Sequence, residues 1–295
     1  MQPVQDEFLR ARGVTLSVLR LDLIHPYISG NKWFKLQPHL EQARQLGRHG
    51  VLSFGGAYSN HLLALAAAGR EFGFATIGMV RGELVRPLNP VLQAAESFGM
   101  HLVPLDRTAY RSKSAPAVVD ALAAQWGNAC VVPEGGASLL GVRGSMAIAQ
   151  ALRWQTGSGA LRLVTLACAT GTTLAGLVAG LPAGVRVDAT LVLRGEDCVS
   201  GQVRDWLAQL AVDAPERTVG SWQVLGGWHC GGYARSTPAL LAFMEAFTAR
   251  TGIPLDPVYT GKMLWSLYQR IEGGDIPVGT EVIAIHTGGI FPRAD

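Results

Sequence analysis

Short apolar runs alternate with helix-length stretches along most of this chain, and that alternation restricts the fold more than any other feature. Residues 51–54 form an apolar run closed by Gly55-Gly56, and residues 59–72 are rich in alanine and leucine at helical spacing. The pairing then repeats. Residues 74–80, 101–104 and 129–133 read as strands, with helices over 90–98 and 115–126 between them. Upstream, residues 14–23 read as a strand and 33–46 as a helix. Strands and helices alternating at these lengths predict parallel sheets covered on both faces.

Glu134-Gly135-Gly136-Ala137 interrupts the alternation, and a longer helix over 141–155 follows. A second set then begins. Residues 163–168, 185–193 and 281–286 read as strands, and 172–181, 199–211, 238–251 and 259–273 as helices. The glycine-rich stretch 219–232 fits neither type. The break predicts two α/β domains: a smaller one over 46–137, and a larger one over 1–45 and 138–295. Ligands of such chains bind in the cleft between domains or at strand carboxyl ends.

Composition removes several classes of function. Of 295 residues, 48% are hydrophobic and 16% charged, which suits a large core, and a net charge of +3 without any basic run argues against nucleic acid. The longest apolar stretch, 164–181, is broken by threonine and glycine, so no membrane span is expected. Residues 1–12 are polar and mixed in charge, with no apolar core of a signal peptide, which predicts a cytoplasmic protein. The four cysteines (Cys130, Cys168, Cys198, Cys230) form no CxxC and no metal-ligand pairing. They read as reduced, mostly buried thiols, and no metal is expected.

Chemistry concentrates at one lysine pair and four corners. The chain has only four lysines, and two of them, Lys32 and Lys35, follow Gly30-Asn31 directly. Gly-Asn is turn chemistry, so Lys32 lies where a loop enters a helix. Lysine forms a Schiff base with a carbonyl cofactor, and burial depresses its pKa towards reactivity. Two solvated helix lysines are the plainer alternative. The first corner, Gly55 to His61, puts Ser59, Asn60 and His61 at a helix start, which is an anion site or an ordinary cap by Ser59 or Asn60. The second, Ala169-Thr170-Gly171-Thr172-Thr173, joins a strand to a helix and suits a phosphate monoester, or is a turn with a threonine cap. It carries no Walker lysine, and the chain has no GxGxxG, so nucleotide and dinucleotide binding are disfavoured. The third, residues 257–262, opens a helix that Asp256 and Pro257 could simply cap. The fourth, His286-Thr287-Gly288-Gly289, reads only as a strand end and a turn.

A phosphate corner, a Schiff-base lysine and neutral hydroxyls on one α/β chain suggest pyridoxal phosphate. The chain resembles the pyridoxal-phosphate enzymes that include 1-aminocyclopropane-1-carboxylate deaminase and D-cysteine desulfhydrase, of the tryptophan synthase β-like fold. Gly30-Asn31-Lys32 resembles that family's cofactor lysine, with Lys35-Leu36 continuing it. Gly56 and Ser59-Asn60-His61 resemble its Gly-x-x-Ser-Asn-His/Gln motif. Gly135-Gly136-Ala137-Ser138, with Gly141 and Gly144, resembles its glycine-rich segment. Thr170-Gly171-Thr172-Thr173 resembles its phosphate loop, and residues 256–262 and 286–289 its C-terminal motifs. The likeness runs from about Leu19 to Gly289. Where the family usually reads Tyr-Gly-x-Pro, this chain reads Gly232-Tyr233-Ala234-Arg235.

The resemblance implies two open twisted parallel-sheet domains with the cofactor in the cleft between them, and a homodimer. It implies Lys32 as the cofactor lysine and base. Thr170, Gly171, Thr172 and Thr173 would bind the phosphate, and Asn60 the ring oxygen. Ser59, Asn60 and His61 would bind the substrate carboxylate, with Tyr233 and Tyr259 flanking the substrate. Thr260 would face the ring nitrogen. In the cyclopropane deaminases the position of Thr260 is a glutamate and that of Thr287 a leucine, whereas D-cysteine desulfhydrases carry threonine at both. A hydroxyl can face an unprotonated ring nitrogen, leaving a mild electron sink that suffices to expel thiolate. The expected activity is β-elimination from a small amino acid, D-cysteine first. The alternatives are 1-aminocyclopropane-1-carboxylate deaminase and a non-catalytic pyridoxal-phosphate-binding protein.

Overall fold

The computed structural model describes residues 1–156, 163–213, 219–232 and 234–290. Its described residues fall into two units, one built from Met1–Ile24 with Ser145–Ile290, the other from His25–Gly144. The larger unit opens with β1 (Gln2–Pro3), α1 (Glu7–Ala11) and β2 (Thr15–Arg20). The expected strand over 14–23 stops at Arg20 for a local reason. The Arg20 guanidinium folds back onto Asp22, Nε to Oδ1 at 2.8 Å and Nη2 to Oδ2 at 2.6 Å, and Leu21–Leu23 wind into a 3₁₀ turn.

The smaller unit contains α2 (Asn31–Gln45), β3 (Gly50–Gly55), α3 (Asn60–Phe72), β4 (Ala75–Arg81), α4 (Pro90–Ser97), β5 (His101–Leu105), α5 (Arg107–Arg111), α6 (Pro116–Gln125) and β6 (Cys130–Val132), and α7 (Leu139–Thr156) begins in it. The strands pair in the order β5-β4-β3-β6, all parallel. α3 is buried at every position from His61 to Gly69. Its leucines pack with Leu36, Leu40 and Ala43 of α2, and each fully buried leucine contributes roughly 1.5–3 kcal/mol. This packing places α2, grouped by the sequence with the larger domain, in the smaller unit, with its limits at 25 and 144 instead of 46 and 137. Pro38 inside α2 lacks the N–H that would bond the Phe34 carbonyl. Gly144 packs against that carbonyl, where any Cβ would overlap the oxygen.

The larger unit continues with β7 (Leu163–Cys168), α8 (Thr172–Gly180), β8 (Arg186–Leu191), α9 (Glu196–Asp213), β9 (Trp222–Leu225), α10 (Pro238–Thr251), α11 (Thr260–Glu272) and β10 (Glu281–His286). Its sheet runs β1-β2-β10-β7-β8-β9, parallel except for β1 against β2. β7 is buried throughout, and β8 and β10 at all but their first residue. That is the pattern of parallel strands covered on both faces. Asp188, fully buried on β8, is paired with Arg186 at 2.7 Å and with Arg270 of α11 at 2.8 Å, as a buried charge must be. The second pair fastens α11 to the sheet. The stretch 219–232 resolves into β9 and a loop.

No helix among the described residues is long and apolar enough to cross a membrane. Among them, no cluster of three or more side chains could hold a metal ion. All four cysteines are free thiols, but only Cys168 is buried and Cys198 is exposed, so the expectation of mostly buried thiols does not hold.

Candidate active site

In the larger unit, β7 ends at Cys168 and α8 starts at Thr172. Gly171 is its N-cap at φ +78° and no side chain caps the helix. The first N–H groups of such a helix have no partner within it. The Thr170 and Thr172 hydroxyls lie 2.9 Å apart, and Thr172 and Thr173 are buried. A Cβ on Gly171 would sit 2.6 Å from Val203 Cγ2, and the positive φ disfavours any other residue. A buried helix start without a side-chain cap, flanked by hydroxyls, has the donor set of a phosphate site.

β10 runs beside β7 with Ile285 opposite Leu166. The His286-Thr287-Gly288 turn therefore leaves the sheet at the same end as the Thr170 corner. The start of α11 is tied to this end as well. The Asp256 carboxylate accepts the N–H groups of Val258 (2.9 Å), Tyr259 (2.7 Å) and Thr260 (2.9 Å), so the capping alternative for this corner is realised. It also accepts the Thr260 hydroxyl at 2.7 Å, while that oxygen accepts the Asp256 N–H at 2.9 Å. Thr260 thus has no proton left to donate. The Thr287 hydroxyl, by contrast, has no hydrogen-bond partner among the described residues.

His286 joins the two segments: Nε2 meets the Pro254 carbonyl at 2.8 Å, and Nδ1 lies 3.3 Å from the Gly288 N–H. Lys262, buried on α11, donates to the carbonyls of His229 (2.9 Å) and Gly232 (3.1 Å) and so anchors the loop after β9. Burial lowers the pKa of its ammonium. Tyr259 is half-buried at the α11 N-cap, against the apolar cluster that contains Phe247 and Leu264. Tyr233 lies outside the described residues.

In the smaller unit, Lys32 occupies the first turn of α2 and its Nζ lies 2.7 Å from Asn31 Oδ1. Lys35, one turn on, is buried and donates to the Gly135 carbonyl at 3.2 Å. Ser59 caps α3, accepting the Leu62 N–H at 3.3 Å, and Asn60 is the first residue of that helix. The cap uses a lone pair of Ser59 and leaves the hydroxyl proton for another partner. His61 points inward. Ser53 donates to the Val132 carbonyl at 2.7 Å, so the 2.9 Å contact between Ser53 Oγ and His61 Nε2 puts the imidazole proton on Nε2. Nδ1 is buried and unpartnered. Burial first, then the charges of Lys32, Lys35 and His39, hold the His61 pKa well below its ordinary value. Those four basic groups therefore form one cluster, with His61 neutral.

Comparison with known proteins decides the family. The sequence model of the family "Pyridoxal-phosphate dependent enzyme" matches residues 6–288. The chain belongs to this family of pyridoxal-phosphate-dependent enzymes. A Pyrococcus abyssi protein provisionally named 1-aminocyclopropane-1-carboxylate deaminase is 28% identical over 287 residues, covering 95% of this chain and 86% of that protein. The Arabidopsis thaliana mitochondrial bifunctional D-cysteine desulfhydrase/1-aminocyclopropane-1-carboxylate deaminase is 27% identical over 302 residues, covering 96% and 74%. The crystal structure of a 1-aminocyclopropane-1-carboxylate deaminase homologue superposes with a TM-score of 0.84 at 26% identity, covering 98% and 88%. The fold is the mixed α/β, parallel-sheet fold of the fold-type II enzymes, and pyridoxal phosphate is the family's cofactor. The α8 corner of this pyridoxal-phosphate-dependent enzyme fits the cofactor's phosphate in donor chemistry.

Several of these groups escaped the sequence. Asp256 shows there as a cap, with no sign that it accepts the Thr260 hydroxyl. His286 shows only as a strand end. Ser53 lies inside an apolar run, and its bond to His61 depends on the turn between β3 and α3.

Proposed function

We propose that this enzyme carries out β-elimination from a small amino acid, D-cysteine first, with water, giving pyruvate, ammonia and sulfide. The observation that carries the reading is the state of two hydroxyls. The Thr260 hydroxyl donates its hydrogen bond to Asp256, while the Thr287 hydroxyl proton has no acceptor among the described residues. A ring nitrogen facing Thr287 meets a hydroxyl donor, which suits the unprotonated form and the expulsion of a good leaving group. This moves the donor role expected of Thr260 to Thr287.

When bound, pyridoxal phosphate supplies the electron sink. The residues do the rest. The Thr170–Thr173 corner holds the phosphate through its N–H groups and hydroxyls. Lys32 would be the amine that holds the cofactor, and its amino group would serve as the base for the proton on the substrate α-carbon. The Ser59 hydroxyl and the first N–H groups of α3 hold the substrate carboxylate, and Asn60 faces the ring oxygen. His61 contributes its backbone N–H, since its ring is turned to Ser53. Tyr259 and Tyr233 would flank the substrate as hydrogen-bonders or proton carriers.

A second reading, 1-aminocyclopropane-1-carboxylate deamination, is favoured by the carboxylate of Asp256 2.7 Å behind the Thr260 hydroxyl and by the names of the relatives. The experiment assays D- and L-amino acids and the cyclopropane substrate on wild type and on Thr260→Glu/Thr287→Leu. Sulfide and pyruvate from D-cysteine, with slow ring opening, support the first reading. Efficient ring opening without D-cysteine turnover overturns it. Activity in wild type that is lost in Lys32→Ala excludes a purely cofactor-binding role.

A further inference from the structure

The His286 imidazole meets three groups, and its nitrogens face different demands. Nε2 lies 2.8 Å from the Pro254 carbonyl. A carbonyl only accepts, so Nε2 carries a proton. Nδ1 lies 3.3 Å from the Gly288 N–H and 3.3 Å from Asp22 Oδ1. Gly288 needs a lone pair at Nδ1, whereas Asp22 needs a proton there. One ring serves one or the other, according to its charge. His286 is 1% exposed, so water cannot stand in for the partner that is lost. Both anchored segments lead to a threonine. Pro254 runs into Asp256, which grips Thr260, and Gly288 follows Thr287.

We propose that His286 is a positioning residue that holds Thr260 and Thr287 in place, and does so fully only as the neutral imidazole. Taking up a proton turns Nδ1 from Gly288 to Asp22 and loosens the Thr287 turn. The proposal rests on the reading that these threonines face the cofactor ring. The charged groups beside His286 are Arg20, opposite it in the β2 register, and Asp22 in the turn that follows, and Asp256 stands two residues after the Pro254 that Nε2 contacts. Arg20 already pairs with both oxygens of Asp22.

The test uses the cofactor-loaded enzyme. It follows Gly288 amide exchange, corrected for the intrinsic effect of pH, together with the absorbance of the bound cofactor against pH. Wild type is compared with His286→Asn, which offers an acceptor near the Nδ1 position and cannot titrate, and with His286→Gln, which offers a donor near Nε2 only. In wild type, Gly288 should exchange about tenfold faster at acid pH, the scale of one lost buried hydrogen bond. The absorbance should move over the same range. His286→Asn should keep Gly288 protected and flatten both profiles. His286→Gln should lose protection at every pH and bind the cofactor about tenfold more weakly. Should the His286 variants not fold, Asp22→Asn, which removes the charge that attracts the proton, should move the wild-type profiles to lower pH. Equal Gly288 protection and equal pH profiles across wild type and these variants would overturn the proposal, as would altered Gly288 exchange with no absorbance change. If both readouts move while D-cysteine is not turned over, the substrate reading fails and the assignment of His286 stands.

Discussion

The Thr260 hydroxyl donates its one hydrogen bond to Asp256, with Oγ1 2.7 Å from Oδ2, and accepts the Asp256 N–H at 2.9 Å in return. The threonine is fully buried. The pair therefore forms part of the fold at the start of α11.

The two threonines should consequently behave differently when their hydroxyls are removed. Thr260→Val strips a donor from a carboxylate and an acceptor from a buried N–H, a loss of about 1–3 kcal/mol that should appear without cofactor. Thr287→Val removes a hydroxyl with no described partner, so the cofactor-free protein should keep its stability and only cofactor binding should weaken. Urea midpoints with and without pyridoxal phosphate check this. Equal losses for both variants in the cofactor-free protein would show that the hydroxyls are not distinguished in this way.

At the α8 corner, the doubly substituted Thr172→Val/Thr173→Val should fold and lose cofactor affinity. Each charge-assisted hydrogen bond to phosphate is worth roughly 1.5–3 kcal/mol, so the loss should reach two to four powers of ten. Gly171→Ala should weaken both folding and binding, since its Cβ would lie 2.6 Å from Val203 Cγ2 at φ +78°. Fluorescence titration with pyridoxal phosphate measures the affinity. Wild-type affinity in the double variant would place the phosphate elsewhere.

What the sequence revealed here, and what it hid, follows from the range of the interactions. Glycine, threonine and capping residues act within a few positions of themselves. The corners at 55–61 and 169–173 and the cap at Asp256 could therefore be read directly. The strand-helix alternation is also local, and it predicted the parallel sheets. The domain limits depend on which core α2 joins, through Leu36, Leu40 and Ala43, and that is decided by side chains far along the chain. The role of His286 depends on Pro254 and Asp22, which lie 32 and 264 positions away in sequence number (286 − 254 and 286 − 22). No pattern of residue types announces such a meeting.

Acid should destabilise this protein well before its carboxylates titrate. Burial lowers the His39 pKa from 6.5 to about 4, and His61 is lowered in the same direction. Above pH 6.5 both states of the protein leave His39 neutral. Between 6.5 and about 4 the unfolded chain takes up a proton that the folded one refuses, so stability falls as pH falls. For His39 alone the total is about 3 kcal/mol. His39→Gln can keep the Ser138 hydrogen bond that Nε2 makes at 2.8 Å and cannot titrate. Its stability curve over this window should be flatter by about one proton. Chemical denaturation at pH 7, 5.5 and 4.5 measures the slopes, and parallel curves would show that His39 is not held neutral.

Placing a glutamate at position 260 brings a second carboxylate into a fully buried spot beside Asp256. Two such groups cannot both ionise cheaply, so one pKa rises above its unfolded value. A raised pKa gives stability that is complete below the unfolded value and lost as pH climbs through the folded one. Thr260→Glu should therefore match wild type most closely near pH 4 and fall behind it by about 3 kcal/mol or more at pH 8. A protonated cofactor ring nitrogen facing the new carboxylate supplies the missing positive charge. Pyridoxal phosphate should then stabilise the variant more than it stabilises wild type, and the variant should gain in ring opening relative to D-cysteine elimination. Urea midpoints at both pH values, with and without cofactor, test the argument. A deficit that does not change with pH would show that the introduced side chain turns away from Asp256, and equal stabilisation by the cofactor would show that position 260 does not face the ring nitrogen.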